Sequence, residues 1–274
     1  MSVYTTLTLQ EVQAFAAPYG LEVIDLIPIQ GGIQNTNYFI VCENAVQYVL
    51  TVFEEMDEQG AGELVPVLEH LGQAGLAVPV PLSHSGKAIH SLKAKPAQIA
   101  PRMMGKHPMP ATLEQAEAIA VAQAQMHVAL QDFPLERAEY RDHDYWLAVA
   151  LQMKPTLSEA DQALLSKLLG VYDALSAVYP NRPKGFIHSD LFRDNTLFEG
   201  NQLKGILDFY ELNKDEFLFD IAITLNDFCT EYPSVHLNED KAIRFLNAYE
   251  SIRPLTTGEK SCLELYLAMA AARF

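Results

Sequence analysis

The residues best suited to chemistry lie together in Gly185-Phe186-Ile187-His188-Ser189-Asp190-Leu191-Phe192-Arg193-Asp194-Asn195-Thr196-Leu197-Phe198, which contains H-x-D-x-x-x-x-N. Transfer of a phosphoryl group needs a carboxylate to orient the attacking hydroxyl and oxygen ligands to hold magnesium on the phosphates. Asp190 and Asn195 supply one of each. A further carboxylate, Asp208, comes thirteen residues after Asn195. It emerges from an expected hairpin in which Thr196–Phe198 and Leu203–Leu207 flank Glu199-Gly200-Asn201. Three fixed positions alone recur by chance. Weight comes from Asp208, from the Asp220-x-Ala222 helix start behind it, and from a strand meander with a glycine turn ahead of it. His188 reads as a buried, hydrogen-bonded histidine and Asp194 as a turn residue, both scaffold.

These residues need a scaffold, and 274 residues with 49% hydrophobic content are enough to bury a sizeable core in one large domain or two lobes. No apolar run is long enough to span a membrane, and Met1 to Thr8 lacks the pattern of a signal peptide, so a cytoplasmic location is expected. Cys42, Cys229 and Cys262 are far apart and form no CxxC pair, which predicts reduced, buried thiols. A formal net charge of −16 argues against nucleic acid or an anionic membrane as partner and leaves a small-molecule substrate open. The sequence is silent on oligomeric state. Residues 1 to 86 contain no Lys or Arg, so phosphates held in that half must rely on backbone amides or metal.

The first half reads as sheet. Thr8 with Glu11 forms a capping box for a short helix ending at Gly20, and Leu21–Ile29, Asn37–Cys42 and Val46–Phe53 then form an antiparallel meander. A helix over Glu63–Leu71, with Pro66 in its first turn, precedes two more strands near Lys87–Leu92 and Ala97–Pro101. From Thr112 the periodicity is helical, over Leu113–Gln131, Asp144–Met153, Ser158–Val178, Phe217–Cys229, Asp240–Ser251 and Thr257–Phe274. Arg141-Asp142-His143-Asp144 is a helix start rather than a zinc site. This order predicts an α+β, two-lobed protein: an N-terminal antiparallel β-sheet lobe over 1–101, a linker over 102–108, and a larger, mainly helical C-terminal lobe over 109–274 with a cleft between them. A planar ligand would dock at the linker, beside Met103.

The whole chain resembles the aminoglycoside-phosphotransferase-like kinases, which share the two-lobed protein-kinase-like fold. Within that group, Gln30–Phe39, Tyr48–Glu54, Pro101–Pro108 and Leu225–Phe228 are similar to type II homoserine kinase. The resemblance implies ATP and Mg2+ as cofactors, Asp190 as catalytic base, Asn195 and Asp208 as magnesium ligands, and Gly31-Gly32 as the loop over the phosphates. Gly31 and Gly32 also read as an ordinary hairpin turn, and Thr36 and Asn37 equally as nucleotide donors or turn caps. It implies L-homoserine as the acceptor, in threonine biosynthesis. Another small alcohol, such as choline or an amino sugar, is the alternative, and a non-catalytic nucleotide-binding pseudokinase a further one.

Homoserine is a zwitterion, so its pocket needs a cation for the carboxylate and an acid or carbonyl for the ammonium. Arg193 is the candidate cation, or else braces the loop by pairing with a neighbouring acid. Tyr210, Glu211, Asn226 and Asp227 are the candidates beside it, and Asp227 reads equally as a helix brace. One departure from the group is Thr51, which stands where such kinases carry a strand lysine. Lys87, Lys93 or Lys95 could substitute, and Glu63 and Glu69, without that partner, read as solvated helix faces. The sequence stops at Ala270–Phe274 inside an apolar helical pattern, where members of the group are expected to continue.

Overall fold

The computed structural model describes residues 4–30, 34–135 and 143–273, the last without the side chain of His143. Thr8 caps α1 (Leu9–Ala16) through the expected box, its hydroxyl accepting from the Glu11 amide while the Glu11 carboxylate accepts from the Thr8 amide. Five antiparallel strands follow: β1 (Val23–Pro28), β2 (Asn35–Cys42), β3 (Gln47–Phe53), β4 (His90–Leu92) and β5 (Lys95–Pro101), in the order β1-β2-β3-β5-β4. Between β3 and β4 lie α2 (Glu58–Glu63) and α3 (Val65–Gln73). The single helix expected over Glu63–Leu71 is thus the second of two, because Asp57 caps an earlier turn by accepting from the Gly60 amide.

Alternation along β2 gives the sheet two distinct faces. Tyr38, Ile40 and Cys42 pack with Leu50, Val52, Ala97 and Ile99 against Val12 and Ala16 of α1, forming one buried core. The register Asn37↔Thr51↔Gln98 and Phe39↔Val49↔Ala100 puts the other residues of these strands on the opposite face.

The chain divides into two compact units, one ending at Met104 but joined by Leu135, the other beginning at Gly105. In the second, α4 (Leu113–Leu130) is capped by Thr112 and Gln115 as a second box, and its buried Ala116, Ala120 and Ala124 let neighbouring elements approach closely. α5 (His143–Met153) and α6 (Glu159–Val178) follow, then β6 (Lys184–Ile187), the hairpin β7 (Thr196–Glu199) and β8 (Gln202–Ile206), and β9 (Asn213–Glu216). α7 (Phe217–Cys229), α8 (Glu239–Glu250) and α9 (Thr257–Arg273) complete the unit. Ile187, Phe217, Ala222 and Ile223 share a core with Cys262, Leu265, Tyr266 and Ala270. All three cysteines are buried and unpaired, and burial raises each thiol. No helix of the described residues is long and apolar enough to cross a membrane.

The pairing of β6 with β9 is not apparent in the sequence, since Asn213-Lys214-Asp215-Glu216 has no strand character of its own. It forms because Phe217 is anchored in the core against Gly185, where an added Cβ would collide with the Phe217 ring. A second close approach fixes the start of the unit. Gly105 (φ 121°) lies where a Cβ would stand 2.8 Å from the Phe198 carbonyl oxygen, and Lys106 pairs with Phe198 through hydrogen bonds of 2.9 and 2.8 Å.

Candidate active site

The loop from His188 to Asn195 joins β6 to β7, and its shape is imposed from beneath by one buried carboxylate. Asp220, in the first turn of α7, accepts hydrogen bonds from the Ser189 amide at 2.7 Å and the His188 amide at 3.3 Å. These bonds hold Ser189 in the left-handed region (φ 68°), a conformation that a non-glycine residue keeps only when its surroundings insist. Asp220 is itself held by Gln123 at 3.1 Å and by His127 Nε2 at 2.9 Å. Burial keeps His127 below its ordinary pKa and therefore neutral, with Nε2–H donating to Asp220 and Nδ1 accepting from the Tyr249 hydroxyl at 2.7 Å. Beyond Tyr249 lies Arg253, which is bonded to Glu259 at 2.8 Å. One chain of hydrogen bonds thus runs from α9 through α8 and α4 to the loop.

At the open side of the loop, the Asn195 amide nitrogen donates to the Asp190 carbonyl at 2.7 Å and to Asp190 Oδ2 at 2.9 Å. The carboxylate is fixed in direction, and the Asn195 side-chain oxygen is left as the atom that can face a cation. Asp208 follows β8 in the left-handed conformation (φ 61°), its carboxylate accepting from the Tyr210 amide. It is solvent-accessible yet densely surrounded by protein. Burial, together with Glu211 and Asp194, raises its pKa. Burial, with Asp208 opposite, likewise lifts Asp190 to about 6. His188 Nε2 donates to the Leu207 carbonyl at 2.8 Å, which ties the loop to the residue before Asp208 and accords with the scaffold role expected for it.

Two carboxylates whose ionised forms disfavour each other, with an amide oxygen that the Asn195–Asp190 bonds do not use, suit a hard divalent cation. Among the described residues no group of three or more His, Cys, Asp or Glu could hold a metal by itself. Asn195 and Asp208 fit magnesium, which takes few protein oxygens and completes its shell with phosphate and water.

Several expected site residues have other partners. Arg193 and Asp227 are bonded to each other: Nε to Oδ2 at 3.0 Å, Nη2 to Oδ1 at 3.1 Å, and the Arg193 amide to Oδ2 at 2.6 Å. These bonds tie the loop to α7, in keeping with the brace that each residue's sequence position also allowed, and commit the two charges to each other. Asn226 likewise reaches away, to the Leu267 carbonyl at 2.8 Å. Thr36 is fully buried on the α1 face, where its hydroxyl donates to Glu54 at 2.6 Å and accepts from the amides of Tyr4 and Thr5. Thr51 bonds Asn37 at 2.7 Å on the opposite face.

The candidate substitute lysines are all directed elsewhere. Lys95 pairs with Glu54 and Thr5, Lys93 with Glu11, and Lys87 with Glu58. Met103 is half-buried just beyond β5, and Tyr210 is half-buried next to Asp208. Gly31 and Gly32 lie outside the described residues, as do Arg141 and Asp142.

Comparison with known proteins agrees with this geometry. Residues 25–255 match the family model APH: Phosphotransferase enzyme family. The chain belongs to this family. A homoserine kinase from Methylobacillus flagellatus is 35% identical over 281 residues, covering 100% of the chain and 85% of the relative. One from Neisseria meningitidis serogroup B is 36% identical over 264 residues, covering 95% and 85%. Among solved structures, a microcompartment-associated aminopropanol kinase superposes with a TM-score of 0.75 at 15% identity, covering 94% of this chain and 86% of its own. An amicoumacin kinase in complex with AMP-PNP, Ca2+ and Ami gives 0.72 at 18% identity, covering 97% and 84%. Those likenesses show the fold, the two-lobed α+β architecture of protein-kinase-like phosphotransferases, and the family makes the chain a phosphotransferase.

Proposed function

We propose that this chain transfers the γ-phosphoryl group of ATP to the side-chain hydroxyl of L-homoserine, giving O-phosphohomoserine for threonine biosynthesis. What carries the reading is the hydrogen bond by which Asn195 aims the Asp190 carboxylate, together with full-length similarity to homoserine kinases at 32–36% identity. Asp190 accepts the proton of the hydroxyl as its oxygen bonds to the γ-phosphorus and the bond to the leaving ADP oxygen breaks, which balances the step. Asn195 and Asp208 would hold magnesium, which when bound would supply countercharge on the phosphates. The α1-distal face of the sheet offers an apolar surface for the adenine in Val49 and Ala100, with Met103 just beyond β5, while the neighbouring Phe39 ring is covered by the Arg102 guanidinium at 3.9 Å. Among the described residues no lysine shares that face beside Thr51, which supports phosphate contacts made by loop amides, as the resemblance implies for Gly31 and Gly32.

The test is ADP release from Mg-ATP with L-homoserine, choline and an aminoglycoside as separate acceptors. Turnover of homoserine is the expected result. Turnover of another alcohol without homoserine would move the acceptor to that class, and hydrolysis-level rates with all of them would favour the nucleotide-binding pseudokinase.

A further inference from the structure

The second unit contains a cavity of about 510 Å³ walled by α5, α6, α7 and α9, mostly by apolar side chains such as Leu147, Leu165, Leu168 and Met269. Its lining includes Arg273, Trp146 and Asp215. The Arg273 guanidinium lies 4.3 Å from the centre of the Trp146 ring and 5.6 Å from that of Phe219.

We propose that Arg273, with the indole N–H of Trp146 beside it, binds the carboxylate of the acceptor and thereby selects an amino-acid alcohol over an alcohol lacking that group. The inference rests on the homoserine reading and deepens it. An acceptor carboxylate needs a cation, and Arg193 is already engaged by Asp227. A guanidinium held over aromatic faces keeps its N–H fork in a defined place, as bidentate recognition of a carboxylate requires. Trp146 Nε1 is buried with no hydrogen-bond partner among the described residues, and a carboxylate oxygen is the acceptor that such a donor lacks. Asp215, on the same cavity wall and itself buried, supplies negative charge for the ammonium. Phe219, which lies under Arg273 in the cavity wall, directly precedes Asp220, whose carboxylate holds the Ser189 amide next to Asp190, so one stretch of α7 links cavity and base. One zwitterion with a hydroxyl on a short chain answers all three groups.

Phosphorylation of L-homoserine is compared with that of 3-aminopropan-1-ol, the same hydroxyl and amine without the carboxylate. The wild type is expected to favour homoserine in kcat/KM by about 10- to 100-fold, the range of a charge-assisted hydrogen-bonded pair. Arg273→Gln should lose most of that preference through a raised KM for homoserine, with KM for ATP unchanged. Arg273→Lys, which keeps the charge but not the fork, should fall between, and Trp146→Phe should cost a few-fold. A wild-type preference retained in both Arg273 variants overturns the inference while leaving the homoserine reading intact. If Arg273→Gln does not fold, Arg273→Lys decides alone: an unchanged preference is fatal to the proposal. Failure of the wild type with homoserine removes the parent reading and this inference with it.

Discussion

Asp190 and Asp220 are two aspartates of the same unit, both drawn away from bulk water, and their environments drive them in opposite directions. Asp220 is buried completely, which alone would raise its pKa, yet hydrogen bonds from His127 and the Ser189 amide outweigh that and hold it below the ordinary carboxylate range. At Asp190, burial and the facing Asp208 outweigh His188, the Asn195 hydrogen bond and Arg273, which favour the ionised form, so its pKa rises to about 6. A carboxylate whose acceptor sites are filled from below is structural. One aimed outward with its charge poorly compensated is prepared to take a proton.

This contrast can be broken most severely by exchanging the losses. Asp220→Ala leaves His127 and two loop amides without an acceptor and should cost about 3–5 kcal/mol, read as a large drop in Tm. Asp190→Asn should instead lower kcat by about 10²- to 10⁴-fold with nucleotide binding retained. A variant at Asp220 that kept its Tm and lost only turnover would dissolve the distinction.

The pH dependence sharpens it next. Because Asp190 has a folded pKa above its unfolded value of about 4, its stabilising contribution is present below that value and disappears as pH rises through about 6. The Tm of Asp190→Asn should therefore exceed that of the wild type by an amount that grows between about pH 4 and 6 and then levels off. Wild-type kcat/KM should fall as the pH drops through about 6, since the base must be ionised.

A smaller effect tests the brace. Arg193→Ala removes a bidentate pair worth about 1.5–3 kcal/mol and should lower kcat through a loosened loop with little change in KM for homoserine. A selective rise in that KM would return Arg193 to the acceptor pocket. Smallest of all, Lys95→Met should cost about 1 kcal/mol or less and leave KM for ATP unaltered, since Lys95 faces α1 beside Glu54 rather than the face bearing Thr51.

Much of the scaffold was legible because it follows from local chemistry. The capping boxes at Thr8 and Thr112, the period-two alternation of β2 and β3 and the apolar run of α7 each carry their own signal, and the helix expected over Phe217–Cys229 has those bounds. β6 and β9 carry none. Asp220 was legible as part of the Asp220-x-Ala222 helix start, but its bonds to the Ser189 and His188 amides were not.

From the amino-acid sequence alone came the identity and spacing of Asp190, Asn195 and Asp208, because a loop and a hairpin fix those distances along the chain. Tertiary structure decided which charges are already engaged. Arg193 read equally as an acceptor ligand or as a brace on a neighbouring acid, and its partner is Asp227, 34 residues away. Thr36 looked like a donor beside the glycine turn, and strand alternation turns its hydroxyl onto Glu54. Arg273, near the far end of the chain, comes under the electrostatic influence of Asp190 only because α9 packs along α7. Pairing across such separations depends on how helices and strands pack, and no local pattern records it.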